Sequence, residues 1–451
     1  MRPIEQSCYW LATRRDTTAS SQLEGDKNCD IAIVGAGFTG LWTAHFLKQL
    51  DSKLDICVVE QGVAGYGASG RNAGIISPCI DHSHALAIAH FGRDEAATMA
   101  KLGLENIEEL AQFADDCDFE KSGQLQIALT PKHIEDCRAN IEVANTLGLP
   151  GYRMLSLDEV QKEINSPLYL GASFVPGGGN INPIKLVEKL KHELIQLGTR
   201  LFERSTVTGI DNGTVGTAKG TIKARQIVLA TDAYTHHLFP QLLLRFIPLY
   251  DYILVSEPLT SSQKDAIGWR NRQGCVDGRT FFNYYRLTAD DRILWGTSEA
   301  QYYAPNRVDE SCDHSEHHYK TLKSSFARHF PQLAELQFPY EWGGPIASTT
   351  RLTPFFGTLD SGRITYGLGY TGHGIGSTRI AGRILAHMVL RKPSPLLNLA
   401  LVKKKPFPYP PEPLRSLSVN MVTSSLRQVD EGKDPSMLLR MLDALGIGFS
   451  S

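Results

Sequence analysis

The stretch Asp30-Ile-Ala-Ile-Val-Gly-Ala-Gly-Phe-Thr-Gly40 decides how the rest of the chain is read. Asp30–Val34 is a short continuous apolar run, the pattern of a strand buried on both faces. Three glycines follow at once in the spacing Gly35-x-Gly37-x-x-Gly40, and Leu41, Ala44, Leu47 and Leu50 then recur at helical spacing. Asp55–Glu60 is a second buried-strand run, so the unit is strand, turn, helix, strand. Glu60 stands twenty positions after Gly40. In that context a glycine turn of this spacing reads as a dinucleotide site. Gly35 permits the tight turn, Gly37 lets backbone N–H groups approach a pyrophosphate, and Gly40 lets helix pack closely on strand. Phe38 and Thr39 lie inside the turn and are counted with it. The helix start adds free N–H donors and a favourable dipole for the anion. Glu60, with Gln61 beside it, is placed to accept hydrogen bonds from ribose hydroxyls.

The fingerprint alone does not separate one dinucleotide from another. A nicotinamide dehydrogenase would continue with further strand–helix units in one compact block. Here a second glycine-rich stretch, Gly65-Tyr-Gly-Ala-Ser-Gly-Arg-Asn-Ala-Gly74, follows directly. It is built for another close approach of backbone. The pattern then leaves, returns at 180–235, leaves again and returns at 340–390. Asn182-Pro183 supplies an N-cap and first-turn proline to a helix with Leu186, Val187, Leu190, Leu194 and Leu197 on one face, closed by Gly198. From 246 to 300 the pattern is strands only, with Thr288–Asp291 reading as a hairpin turn. A last glycine cluster, Gly367–Gly376, opens a helix bearing Ile380, Ile384, Leu385 and Met388.

The two ends differ from this middle. Residues 1–28 read as a polar, irregular arm. After 391, Lys403–Lys405 lead into Pro406, Pro408, Pro410, Pro411 and Pro413, a stiff extended segment. Asp434-Pro435 then reads as the cap of a short helix carrying Leu438, Leu439, Met441, Leu442 and Leu445, a tail that wraps back and docks.

Composition narrows the class. Lys plus Arg number 46 against 48 Asp plus Glu in 451 residues, a net charge of −2, so the basic surplus expected of a nucleic-acid binder is missing. No stretch approaches the ~18–20 apolar residues that span a bilayer, and no secretory signal is visible. The eight cysteines are scattered without a C-x-x-C pair, which fits neither a disulfide framework nor a zinc site. A reduced, cytoplasmic protein is the simplest reading. Asp81, His82, His84 and His90 cluster in sequence, but their spacing fits no metal motif, and no metal is expected.

The ordered motifs resemble the FAD-dependent D-amino acid oxidase superfamily, in the branch with glycine oxidase, sarcosine oxidase and γ-glutamylputrescine oxidase. They are CDIAIVGAGFTGLWTAHFL, VVEQGVAGYGASGRNAGIIS, GGGNINPIKLV, IVLATDAYT, YYRLTADDRILWG, EWGGPIASTTRLTPFFG and GLGYTGHGIGSTRIAGRILA, spanning roughly 29–390. The resemblance implies a DAO-like fold of α/β plus β class. A Rossmann-like FAD-binding domain (28–110, 176–238 and 340–395) is interleaved with an antiparallel-sheet substrate domain (111–175 and 239–339), and 396–451 forms the docked tail. It implies that Gly35, Gly37, Gly40 and Glu60 hold FAD. Ser69, Arg71, Asn72 and Gly74 line pyrophosphate and flavin, the Val207 backbone meets adenine, and Ala230 and Thr231 end a strand beside the cofactor. Many members have glycine where this chain has Asp232. Gly372, His373, Gly374 and Ile375 match the loop over the flavin. No cysteine follows Cys312, so the covalent attachment of some members is absent and FAD is expected to be non-covalent.

The implied activity is oxidation of the C–N bond of a small amine or amino acid, with O2 or another compound as electron acceptor. The alternative is an FAD-binding assembly or regulatory protein of the same fold without turnover. Tyr284, Tyr285 and Tyr252 lie in the region expected to roof the flavin, and strand alternation puts only one of Tyr284 and Tyr285 on the pocket face. His373 is a candidate to orient substrate or take a proton. Arg351 and Arg286 are candidates for a substrate carboxylate or phosphonate.

Overall fold

A computed structural model describes residues 2–444 and 447. Two eight-stranded sheets carry it. The spine of the first runs Phe355–Leu359, Ile364–Leu368, Gly220–Leu229, Gly25–Val34, Ile56–Val59 and Arg200–Phe202 from edge to edge. All neighbours in it are parallel except the outermost pair, Phe355–Leu359 with Ile364–Leu368. The runs Ile31–Val34 and Ile56–Val59 are buried throughout, because helices must cover a parallel sheet on its faces. The helices Phe38–Leu50 and Gly374–Val389 lie against each other beside this sheet.

Local chemistry sets these joins. Gly35 adopts φ +106°, where any side chain would be strained and would press on the Ala230 carbonyl. A Cβ on Gly40 would collide with the Gly35 carbonyl oxygen. The helix Pro183–Gln196 starts as its sequence predicts, with Asn182 Oδ1 accepting from the Lys185 N–H at 3.3 Å.

The second sheet runs Tyr340–Ser348, Ile247–Val255, Ile293–Gln301, Asn283–Leu287, Gly274–Asp277, Gln124–Ala128, Gly171–Val175 and Arg153–Leu155. It departs from the sequence reading in two respects. Gly274–Asp277 pairs in parallel with Gln124–Ala128, so the sheet is not wholly antiparallel. The strand Tyr340–Ser348, grouped by sequence with the glycine-turn segments, pairs instead along its whole length with Ile247–Val255. Long-range pairing of this kind leaves no local mark in the sequence.

The ends are more ordered than they read. The arm forms short helices at Ile4–Ser7 and Tyr9–Ala12, burying Cys8, Trp10 and Leu11, and Trp10 Nε1 donates to the Asn72 carbonyl at 2.8 Å. The tail contains a helix the sequence reading omits, Leu414–Asp430. The buried Arg415 anchors it, donating to the Leu243 carbonyl at 2.8 Å and to Asn306 Oδ1 at 2.6 Å. The last helix, Met437–Ala444, is started by Ser436 rather than Asp434. Ser436 Oγ accepts from the Leu439 N–H at 3.3 Å. Leu445 lies outside the described residues.

Candidate active site

A single cavity of about 1830 Å³ joins the two sheets. At one end it is walled by Gly35, Gly37, Phe38 and Thr39 of the first turn. Glu60 and Gln61 follow the second strand into it, and Val207 opens on it from the strand Val207–Asp211. Ser69, Arg71 and Asn72 reach it from the second glycine stretch, and Ala230 and Thr231 from the end of Gly220–Leu229. Gly372, His373, Gly374 and Ile375 line it at the start of the helix Gly374–Val389. Residues spread over more than 300 positions of sequence are thus brought onto one surface.

Hydrogen bonds fix the walls. Ser69 Oγ accepts from the Phe38 N–H at 2.8 Å, tying the second glycine stretch to the first turn. Asn72 donates to the Ala68 and Ser69 carbonyls and accepts from the Gly74 N–H at 2.8 Å. Arg71 donates to Asp313 at 2.7 Å and to the Gly343 carbonyl. Glu60 accepts from the Ala36 N–H at 2.8 Å and the Gly62 N–H at 2.9 Å, while burial raises its carboxyl above the usual range. Asp232 accepts from the N–H groups of Ala347 and Gly369, and burial pushes it up to about 6. Gly40 lies beneath the turn, off the cavity. Gly74 is also off the cavity, and its carbonyl holds Arg286.

The second sheet supplies the opposite wall by alternation. Ile247, Leu249, Asp251 and Ile253 face the cavity, and Tyr250, Tyr252 and Leu254 pack into the core behind. On the neighbouring hairpin Tyr284 faces the cavity and Tyr285 does not. Tyr285 stacks on Trp295 at 4.4 Å and shares a hydrogen bond of 2.5 Å with Tyr169, deep in the core. It is therefore no candidate for substrate contact, and neither is Tyr252, whose hydroxyl bonds the Cys312 carbonyl.

Two arginines are reassigned. Arg351 donates to the carbonyls of Lys404, Pro354 and Leu401 at 2.7–2.9 Å and does not reach the cavity. Arg286 donates to the carbonyls of Gly74, Ile181 and Leu287. Both pin loops, a use of the guanidinium fork that sequence cannot tell from anion binding.

The histidine cluster disperses. His82 bonds the Thr371 carbonyl at 2.7 Å and lies edge-on to His373, ring centres 4.0 Å apart. His84 turns to Tyr152 and Cys79, and His90 to Asp81 at 3.9 Å. Both His82 and His373 line the cavity, and burial lowers them, His373 to about 4. Sequence reasoning missed His82 as a cavity residue and missed Asp251 altogether. A lone carboxylate within Leu249-Tyr-Asp-Tyr-Ile253 was the available signal.

The first end of the cavity suits a dinucleotide. A Cβ on Gly37 would come 2.9 Å from Ser69 Oγ, filling the approach to the helix start. Gly37, the N-cap of the helix Phe38–Leu50, has no side chain to cap it, and beyond the Phe38 N–H taken by Ser69 the helix start stays open to an anion. Among the described residues no helix is long and apolar enough to cross a membrane.

Comparison with known proteins agrees with this geometry. The family model described as DAO, FAD dependent oxidoreductase, matches residues 30–388. The chain is 29% identical over 411 residues to the gamma-glutamylputrescine oxidoreductase of Escherichia coli strain K12, covering 89% of this chain and 93% of that protein. In structure it resembles glycine oxidase from Geobacillus kaustophilus with a TM-score of 0.67 at 21% identity, covering 84% of this chain and 99% of the other. L-proline dehydrogenase from P. horikoshii matches with a TM-score of 0.67 at 19% identity, covering 83% and 96%. The chain belongs to the DAO family and is an FAD-dependent oxidoreductase of the amine and amino-acid oxidase kind.

Proposed function

We propose that this enzyme oxidises the C–N bond of a small amine, of the γ-glutamylputrescine, glycine or sarcosine kind, using FAD held without a covalent bond. The continuity of one cavity carries the reading. It runs from the Gly35–Gly40 turn and Glu60 to a chamber walled by Asp251, Tyr284 and His373.

In this reading the first sheet carries the cofactor and the second faces the substrate, with the described part of the tail, 396–444, closing over both. Gly35, Gly37, Phe38 and Thr39 take the pyrophosphate at the helix start, with Gly40 packing the helix onto the strand beneath. Glu60 and Gln61 take the ribose, and Val207 meets the adenine. Ser69, Arg71 and Asn72 lie along the middle of the cofactor beside Ala230 and Thr231, with Gly74 closing the loop behind them. Gly372, His373, Gly374 and Ile375 lie over the ring, where the N-terminal end of Gly374–Val389 favours negative charge. When bound, FAD supplies a two-electron acceptor for hydride from the carbon next to nitrogen. The chain's own residues bind and orient the amine, hold the chamber dry and accept the proton its nitrogen must lose. Water then hydrolyses the imine, and O2 or another compound takes the electrons onward. All eight cysteines are free, which suits a reducing compartment such as the cytoplasm.

The test is anaerobic titration of the yellow holoenzyme with a panel of primary amines, N-methyl amino acids and α-amino acids. Bleaching of the flavin absorbance by at least one of them is expected. Bleaching by dithionite alone, with no response to any amine, overturns the reading.

A further inference from the structure

Among the described residues Glu60, Asp232 and Asp251 line the cavity without an ion-pair partner, and of these Asp251 is the one met by a tyrosine hydroxyl. Asp251 lies on Ile247–Val255 where the pairing with Ile293–Gln301 slips, since Tyr250 pairs with Gln301 and Tyr252 with Thr297. The extra residues fall on Ile293–Gln301, and Asp251 keeps the alternation of its own strand, opposite Gly344. The carboxylate faces the cavity, accepting from the Tyr284 hydroxyl at 2.6 Å and from the Tyr252 N–H at 2.9 Å. Each oxygen keeps lone pairs for a further donor.

The cavity's lysines and arginines each pair with a carboxylate other than Asp251. Four arginine and lysine side chains line it among the described residues. Arg71 pairs with Asp313 at 2.7 Å, Lys132 with Asp136 at 2.8 Å, Arg279 with Asp277 at 2.7 Å and Lys433 with Glu431 at 3.1 Å. His82 and His373 are held neutral by burial. Each of the four lysines and arginines thus already has a carboxylate partner, and the buried guanidinium nitrogen left over, Arg71 Nη2, belongs to a side chain that packs over Gly344 and pairs with Asp313 rather than Asp251. An ammonium group finds Asp251.

Resting on the amine-oxidising reading, we propose that Asp251, held by Tyr284, seats the substrate's ammonium group. The site thereby selects amines carried on an alkyl chain over α-amino acids. The seated ammonium passes one proton from nitrogen to Asp251, leaving a neutral amine and a protonated carboxyl, so charge and atoms balance without a further reactant. Groups around the seat do not compete for it. Tyr284 is its hydrogen-bond partner. Behind the strand His318 stacks on Tyr252, and Glu299 in the slipped stretch pairs with Arg427. Asp232 is held by backbone N–H groups, and Arg71, packed over Gly344, is bound to Asp313.

Holoenzyme of the wild type, Asp251→Asn and Tyr284→Phe is compared in two measurements. The first is anaerobic flavin reduction by n-pentylamine against glycine, sarcosine and D-alanine. The second is perturbation of the flavin spectrum by pentyltrimethylammonium, a cation that cannot be oxidised by loss of a nitrogen proton, with 1-pentanol as the neutral control. Wild type is expected to respond to n-pentylamine more strongly than to the amino acids and to bind the cation. In Asp251→Asn, reduction by n-pentylamine falls about 100-fold, as expected for loss of a positioned proton acceptor. Cation binding weakens at least about tenfold, and the response to 1-pentanol is unchanged. Tyr284→Phe shows a smaller loss of both. Preference for the amino acids, or an Asp251→Asn enzyme that binds the cation as wild type does, overturns the proposal. If no amine reduces the wild type yet the cation binds and Asp251→Asn abolishes that binding, the seat stands and only the oxidase reading fails.

Discussion

The Tyr284 hydroxyl donates to Asp251 Oδ2 at 2.6 Å over the strand Ile293–Gln301, which lies between theirs in the second sheet. Burial, opposed by this bond and by the Tyr252 N–H, pushes the Asp251 carboxyl up to about 7. The native state therefore holds the Asp251 proton more tightly than the unfolded chain, where an aspartate titrates near ~3.9. Its contribution to stability is full below about pH 3.9 and is lost as pH rises through about 7. Asp251→Asn carries no such loss. Thermal melts of the substrate-free protein should show the variant gaining on wild type between pH 5 and 8, by on the order of 1–3 kcal/mol. A difference that does not change with pH would refute the assignment.

The turn at Gly40 admits no side chain, since a Cβ would meet the Gly35 carbonyl. Gly40→Ala must push helix from strand at the place where the pyrophosphate is proposed to sit. Overpacking of this kind costs ~1–3 kcal/mol. We expect a lower melting temperature and less than a tenth of the wild-type flavin per chain, read from the absorbance of purified protein.

Arg351 donates to three carbonyls and lies off the cavity. Arg351→Met strands those acceptors, at a cost of about 1–3 kcal/mol for each that water cannot reach. The melting temperature should fall, while the concentration of amine giving half-maximal flavin reduction should stay within twofold. A large rise in that concentration with an unchanged melt would return Arg351 to the site.

Asp430, ending the tail helix, accepts from the N–H groups of Thr280 at 2.7 Å and Phe281 at 2.8 Å. Arg427 of the same helix pairs with Glu299. These bonds hold the helix against the loop beside Arg279 at the cavity wall. Asp430→Ala should loosen it by roughly 1 kcal/mol. Limited proteolysis should then cut within 414–435 sooner than in wild type, and apparent affinity for amines should drop.

Denaturation in acid tests the mode of flavin attachment. With no cysteine beyond Cys312, precipitation of the holoenzyme should leave all yellow colour in the supernatant. Colour retained in the pellet would show a covalent bond.

Much of the first sheet's glycine turn was legible because its causes are local. The φ of Gly35, the close approach at Gly40 and the N-cap at Asn182 depend on residues a few positions apart. Strand alternation likewise shows in sequence that Tyr284 and Tyr285 must face opposite ways. Which of them meets the cavity depends on where the hairpin docks, and only the assembled sheets decide it. The same holds for Arg351 and Arg286. A guanidinium reads alike in sequence whether it meets a ligand or three carbonyls, and here loops distant in the chain supply the carbonyls. The pairing of Asp251 with Tyr284 joins residues 33 apart through a slipped strand register. By itself the sequence determined the family, the first glycine turn and the helix starts beside it and at Asn182, where short-range sterics and hydrogen bonds act. The tertiary structure alone decided that, among the described residues, Asp251 meets Tyr284 and no cation in the chamber, because such pairing depends on distances that the folded sheets create.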